Sequence, residues 1–242
     1  MKRILILSAN PQNTSSLRLD EEIREIDEGL KRSLYRDQFQ LVSKGAVRMQ
    51  DLYRHMLEFQ PNIIHFSGHG TGEQGLILEN ELGQQQFLST EQLTATFKLF
   101  TTKGLECVVM NACYSEVQAV AINQFIPYVI GMNQEIGDRA AIKFAIAFYD
   151  VLGAGESIEF AFELAKTQLI ELQEVLNPIL LKNPEAILTF NNTSITKVTS
   201  PNISPEQVQS TEQEKRGITI SMNAGDGAKQ IGSIGYVENM DF

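Results

Sequence analysis

Cysteine is scarce. The 242 residues hold two, Cys107 and Cys113, and neither sits in a C-x-x-C arrangement. The sequence therefore offers no disulfide framework and no cysteine-based zinc site. Such usage fits a reducing cytoplasm. Positive charge is in deficit, with 20 Lys and Arg against 30 Asp and Glu and a net charge of −10. With no basic patch, no nucleic-acid partner is expected. Long apolar runs are missing too, so no stretch reads as a membrane span. Met1-Lys2-Arg3 and the short apolar run behind it end at Asn10-Pro11, too early for a signal peptide. The expected setting is cytoplasmic, away from membranes. A glycine-rich phosphate loop after the first strand is also lacking, which argues against a nucleotide site there.

What is present is a pair of matching segments. Asn62-Ile63-Ile64-His65-Phe66-Ser67-Gly68-His69-Gly70 is an apolar, β-branched run that stops in a Gly-His-Gly turn. Cys107-Val108-Val109-Met110-Asn111-Ala112-Cys113-Tyr114-Ser115 is a second such run, and it stops at a cysteine. Short continuous apolar runs bounded by turn signals read as covered strands of a parallel sheet. Ligands in open sheets of that kind sit beyond the carboxyl ends of the strands. His69 and Cys113 are thus candidates for a general base and a thiol nucleophile. The thiolate is the attacking species, and an imidazole can take its proton. Gly70 lets the chain approach closely, and the amides of Gly70 and Cys113 are candidate oxyanion donors. Ser115 through Gln118 fit a capping box opening a helix behind the sulfur. A cysteine ending an apolar strand is by itself more often a buried small hydrophobe; the His-Gly turn on the earlier strand reverses that reading. Cys107 and His65, inside their strands, read as core, and His55 as solvated.

These motifs carry a resemblance. His69-Gly70 after one strand and Asn111-Ala112-Cys113 after the next resemble the caspase-like cysteine peptidases, and their wording is most similar to the CHAT domain. Leu5-Ile6-Leu7-Ser8-Ala9-Asn10-Pro11, Val129-Ile130-Gly131-Met132 and the two-helix ending from Ile136 to about Leu176 resemble that family as well. The likeness covers roughly residues 1–190. It implies an α/β fold, a three-layer α/β/α caspase-like sandwich with a mostly parallel central sheet. It also implies a cysteine endopeptidase acting through His69 and Cys113 on protein substrates, with no cofactor or metal. The resemblance further implies a regulated protease of bacterial signalling or defence, switched on by a regulatory protein partner. The residue two before the nucleophile, Asn111, is implied to face the pocket for the substrate side chain preceding the cut. Arg18 from the loop after strand one, and Asn133 and Asp138 from the loop after strand five, are implied to flank it. No arginine pair is placed to bind an aspartate, so caspase-type specificity is not expected.

Along the rest of the chain, strand one (Ile4 to Ser8) precedes a helix over about Ser16–Leu34, with Ile23, Ile26, Leu30 and Leu34 as its buried face. Arg18, Asp20, Glu21 and Glu22 read as a solvated first turn suited to the helix dipole. A strand near Gln40–Ser43 and a helix over Met49–Phe59 follow. A hairpin turns around Asn80–Gly83, and Ser89 opens a helix ending near Thr101. Asp138 reads as a helix N-cap as readily as a pocket residue. Ser157 begins a long helix reaching Leu176, and Ile187–Phe190 reads as a last strand.

Composition divides the chain into a domain at 1–190, a polar linker at 191–216 and a glycine-rich, β-prone tail at 217–242. A lone hairpin is marginal in water, so the tail is expected to bind a partner or regulate the domain. The second functional reading is a catalytically latent caspase-like adaptor acting by protein–protein interaction, since folds of this kind often bind rather than react.

Overall fold

The structure is a computed structural model and describes residues 1–199. The expected tail, and the linker beyond Thr199, lie outside the described residues.

β1 (Lys2–Ser8) leads into α1 (Leu19–Arg32), β2 (Phe39–Lys44) and α2 (Met49–Phe59). Helix α2 ends where Gln60 turns left-handed (φ 46°) just before Pro61. β3 (Ile63–Ser67) runs into the two-residue β4 (His69–Gly70), then β5 (Leu76–Glu79) and β6 (Gln85–Leu88). α3 (Thr90–Phe100) is capped by Ser89, whose hydroxyl accepts from the Gln92 amide at 3.2 Å. β7 (Cys107–Asn111), α4 (Glu116–Asn123), β8 (Tyr128–Met132) and α5 (Asp138–Gly153) follow. α6 (Ile158–Thr167), β9 (Pro178–Lys182) and α7 (Pro184–Thr199) complete the described chain.

The main sheet has the order β2-β1-β3-β7-β8-β9. All its pairings are parallel except β8 with β9. β4, β5 and β6 form a separate antiparallel sheet. Alternation along the central strands sends side chains to two cores. Ile4, Ile6, Ile63, Cys107, Val109 and Ile130 pack on α1, α5 and α6 through Ile26, Phe144, Phe148 and Phe162. Leu5, Leu7, Ile64, Phe66, Val108 and Val129 pack on α2, α3 and α4 through Leu52, Met56, Phe97 and Ile122. Strands covered on both faces need continuous apolar sequence. The fold is therefore a three-layer α/β/α sandwich.

Three expectations are corrected. Ile187–Phe190 is helical, not a strand. Asn183 caps α7 by accepting from the Ala186 amide (3.1 Å), and Pro184 follows at the first helical position, where a missing N–H costs nothing. The last described strand is β9 instead. The long helix expected to reach Leu176 stops at Thr167, although Ser157 does cap it, accepting from the Phe160 amide at 3.2 Å. Helix α1 is shorter than expected at both ends, and Leu34 is left exposed outside it.

Candidate active site

From β1 the chain moves out to β2 on one side, then crosses from β2 back to β3 on the other side of β1, so the sheet order reverses next to β1. Crevices at such reversals, beyond the strand carboxyl ends, are where α/β sheets bind ligands. β3 and β7 are direct neighbours, and their register closes on the pair Ser67–Asn111. His69 and Cys113 each lie two residues past that pair, so the two strands deliver them at one level. Cys113 packs against the core on the α1 and α5 side, and His69 reaches the loop that precedes α1.

His69 is half-buried and tied to the loop after β1. Its Nε2 lies 2.9 Å from the Ser15 carbonyl oxygen. A carbonyl can only accept, so Nε2 carries the proton and Nδ1 is left as the basic nitrogen of the neutral ring. The loop itself is braced. Asn10 exchanges side-chain bonds with the Leu17 backbone (3.2 and 3.3 Å), and the Gln12 amide donates to Gly83 O at 3.0 Å.

Cys113 is also half-buried, and its thiol donates to the Ile136 carbonyl at 3.7 Å. Burial pushes this thiol above the ordinary cysteine range; backbone hydrogen bonding at Ile136 opposes that, and the nearby Glu135 and Glu174 carboxylates add to it. The resting group is therefore the thiol, and forming the thiolate requires a base. Cys107 is fully buried, and burial raises its pKa far more strongly. Both cysteines are free.

Gly70 packs directly on this turn. A Cβ there would overlap the Cys113 carbonyl oxygen. The Thr71 amide donates to Gly75 O at 3.1 Å, which makes Thr71–Gly75 and His69–Ile77 the hydrogen-bonded pairs of the β4–β5 ladder. Gly70–Leu76 is then the non-bonded pair, and the Gly70 amide points away from β5. Past Cys113, Tyr114 is left-handed (φ 56°) and swings the chain from β7 into α4. A non-glycine residue held there stores strain of about 1–3 kcal/mol, and its amide is anchored on Gln134 O at 3.2 Å.

The expected capping box is not formed. Ser115 precedes α4 but makes no side-chain cap bond. Its buried hydroxyl donates to Met110 O and accepts from the Met132 amide, each at 2.9 Å, stitching β7 to β8. Gln118 points elsewhere, donating to Gly72 O (2.8 Å) and Thr90 Oγ1 (2.7 Å). Full burial explains the change, because an enclosed hydroxyl and amide must satisfy the donors and acceptors around them.

Asn111 is buried, with Nδ2 donating to Glu22 Oε1 (2.6 Å) and Ala141 O (3.1 Å). Both partners are acceptors, which fixes the amide orientation and leaves Oδ1 buried without a partner. Arg18 and Asp138 meet. The Asp138 carboxylate accepts from the Arg18 backbone (3.1 Å) and Nε (2.7 Å), and Arg18 also pairs with Glu21 at 3.0 Å. Asp138 is not the N-cap of α5; Gly137 is. Asn133, half-buried, donates to Leu176 O at 3.1 Å. An open pocket of about 460 Å³ lies beside Arg18, lined by Ser8, Asn10, Leu17, Glu21 and Ala46. A pocket of about 500 Å³ lies at the amino-terminal ends of β7 and β8, around Leu105, Phe125, Pro127 and Asn183, the opposite end of the strands from His69 and Cys113.

Two contributors were not among the expected site residues. The Ser15 carbonyl is a backbone atom. Glu22, expected in a solvated turn, is 2% exposed and sits beneath the site. Its position was readable, since Leu19, Glu22, Ile26 and Leu30 form one helical stripe.

The CHAT domain family model matches residues 2–180. A Roc-COR-CHAT protease from an unknown prokaryotic organism is 30% identical over 176 residues, 69% of this chain and 16% of the relative. A probable protease of Gillisia limnaea is 24% identical over 206 residues, 77% of this chain and 36% of the relative. The chain thus spans well under half the length of either. Among solved structures, a secreted C11 cysteine protease from Bacteroides thetaiotaomicron in complex with an irreversible peptide inhibitor has a TM-score of 0.56 at 13% identity, covering 76% of this chain and 67% of that one. An inactive zymogen C11 protease from Parabacteroides distasonis has a TM-score of 0.51 at 17% identity, covering 77% and 63%. The sandwich is therefore the caspase-like one that the sequence implied, and the chain belongs to the CHAT domain family.

Proposed function

We propose that the chain is a cysteine endopeptidase in which His69 is the general base and Cys113 the nucleophile. The observation that carries this is the register: both residues lie two positions beyond the last aligned pair of adjacent strands. His69 takes the thiol proton, and Sγ attacks the carbonyl carbon of the scissile peptide bond. The resulting oxyanion is held by the amides of Gly70 and Cys113, the first of which is turned away from its ladder partner. Collapse breaks the C–N bond, and the His69 imidazolium protonates the departing amine. Water, deprotonated by His69, then hydrolyses the thioester and frees Cys113.

Asn111, Arg18, Asn133 and Asp138 are proposed to bound the pocket for the residue before the cut. The Arg18–Asp138 pair closes its own charges, so it acts as a wall. Asn111, with both N–H groups committed, offers only an acceptor. A protein substrate, a cytoplasmic setting suited to a free thiol, and a regulatory partner engaging residues 217–242 complete the proposal, as does a role in bacterial signalling or defence. No helix among the described residues is long and apolar enough to cross a membrane.

The test is covalent labelling. A thiol-reactive peptidyl probe is expected to modify Cys113 and leave Cys107 untouched, and His69→Ala is expected to abolish the labelling. Equal modification of both cysteines, or labelling indifferent to His69, would favour the latent adaptor.

A further inference from the structure

A carboxylate buried under the site has no part in the chemistry above. Glu22, on the buried stripe of α1, is 2% exposed. Its Oε2 accepts from the Ser67 hydroxyl, and its Oε1 accepts from Asn111 Nδ2 at 2.6 Å. His65 Nε2 lies 3.2 Å from Oε1 but is not aligned for a hydrogen bond; its Nδ1 meets the Tyr149 hydroxyl at 3.2 Å. Enclosing a carboxylate is costly unless its oxygens are satisfied. Here they are satisfied by two particular residues.

Those residues are the last aligned pair of β3 and β7. Just beyond them the strands part. β3 leaves the main sheet to pair with β5 through His69 and Gly70, while β7 turns at Tyr114 into α4. Past Ser67 and Asn111, a backbone bond from Gly68 N to Asn111 O at 3.3 Å joins the diverging ends. The carboxylate spans the fork from the α1 side, where Cys113 also packs and where His69 meets the loop before α1.

We propose that Glu22 is a positioning residue of the dyad: by holding Ser67 and Asn111 together it fixes the spacing of the two strand tips, and so of the His69 imidazole and the Cys113 sulfur. This rests on the dyad reading. Its action is geometric, through two accepted hydrogen bonds. A glutamine can keep both, accepting from Asn111 through its oxygen and donating to the Ser67 oxygen through its amide. A leucine of similar size keeps neither.

The test is the alkylation rate of Cys113 by iodoacetamide at neutral pH, followed by mass spectrometry with Cys107 as internal control and melting temperature as the check on folding. His69→Ala sets the floor. If it alkylates like the wild type, the dyad reading itself fails, independently of Glu22. With that floor established, Glu22→Leu is expected to slow Cys113 by about tenfold, a loss in keeping with misplacing a base. Glu22→Gln is expected to restore most of the rate. Ser67→Ala, which keeps Glu22 but takes the donor from its Oε2, is expected to fall between, and it decides the matter if Glu22→Leu does not fold. A folded Glu22→Leu or Ser67→Ala protein reacting at the wild-type rate overturns the proposal. So does a Glu22→Gln protein as slow as Glu22→Leu, which would make the effect one of charge. Cys107 becoming reactive alongside would show general loosening and overturn it as well.

Discussion

His69→Ala is expected to lower peptide-bond cleavage by about 100- to 10,000-fold, the range for losing a positioned general base, with the melting temperature little changed. The size follows from what the rest of the site does to the sulfur. Burial holds the Cys113 thiol above its ordinary range, and Glu135 and Glu174 oppose the thiolate further. Without the imidazole, little thiolate forms at neutral pH. The remaining activity of the variant should therefore climb as pH rises beyond the ordinary thiol range, where Cys113 ionises unaided. The wild type should already be active near neutrality, because the ring holds its proton on Nε2 against Ser15 and keeps Nδ1 open. A pH series of turnover on a mixed fluorogenic peptide pool, run on both proteins, measures this. The fold should survive, since His69 is half-buried and its ring bond is to a loop carbonyl.

Gly70→Ala has the second large effect, and here the fold suffers with the chemistry. The added methyl overlaps the Cys113 carbonyl oxygen and crowds the Ala112 side chain. Neither neighbour can yield by turning a rotamer. Cys113 is held between Asn111, buried at the end of β7, and Tyr114, whose amide is fixed on Gln134. Gly70 is held by the ladder to β5. Relief therefore requires the two strand tips to move apart. Overpacking of this kind costs about 1–3 kcal/mol, and a displacement near 1 Å at a reacting pair costs about 100-fold in rate. Thermal melting and turnover, measured together on the purified variant, should show both losses. A variant that melts lower but turns over normally would mean that the Gly70 contact does not set the site.

The two segments that frame the site were legible because their physics is local. Ile63–Ser67 and Cys107–Asn111 are buried throughout, so they are mostly apolar, with His65, Ser67 and Asn111 as the buried polar members, and each stops where a turn is needed. The helix over Met49–Phe59 and the caps at Ser89 and Ser157 were readable for the same reason. Much of what escaped depends on neighbours remote in sequence, and the rest on local signals that were outweighed by composition. Ser115 and Gln118 have capping-box spacing, yet enclosure assigns them to Met110, Met132, Gly72 and Thr90. Ile187–Phe190 has strand composition, yet Asn183 and Pro184 set a helix. Glu22 was grouped with the acids beside it and read as solvated, whereas its place on the stripe with Leu19 and Ile26 puts it inside. Arg18 and Asp138 were named separately; their pairing is a long-range fact that no local pattern holds.

The central claim is that Cys113 and His69 cut peptide bonds. Its most direct test is proteome-wide mapping of protein N-termini in cells producing the wild-type chain, the Cys113→Ala variant or the His69→Ala variant. A set of new N-termini present with the wild type and missing from both variants is the predicted result, and the residue preceding each cut would define which side chain the site accepts there. Identical N-termini in all three samples would contradict the account.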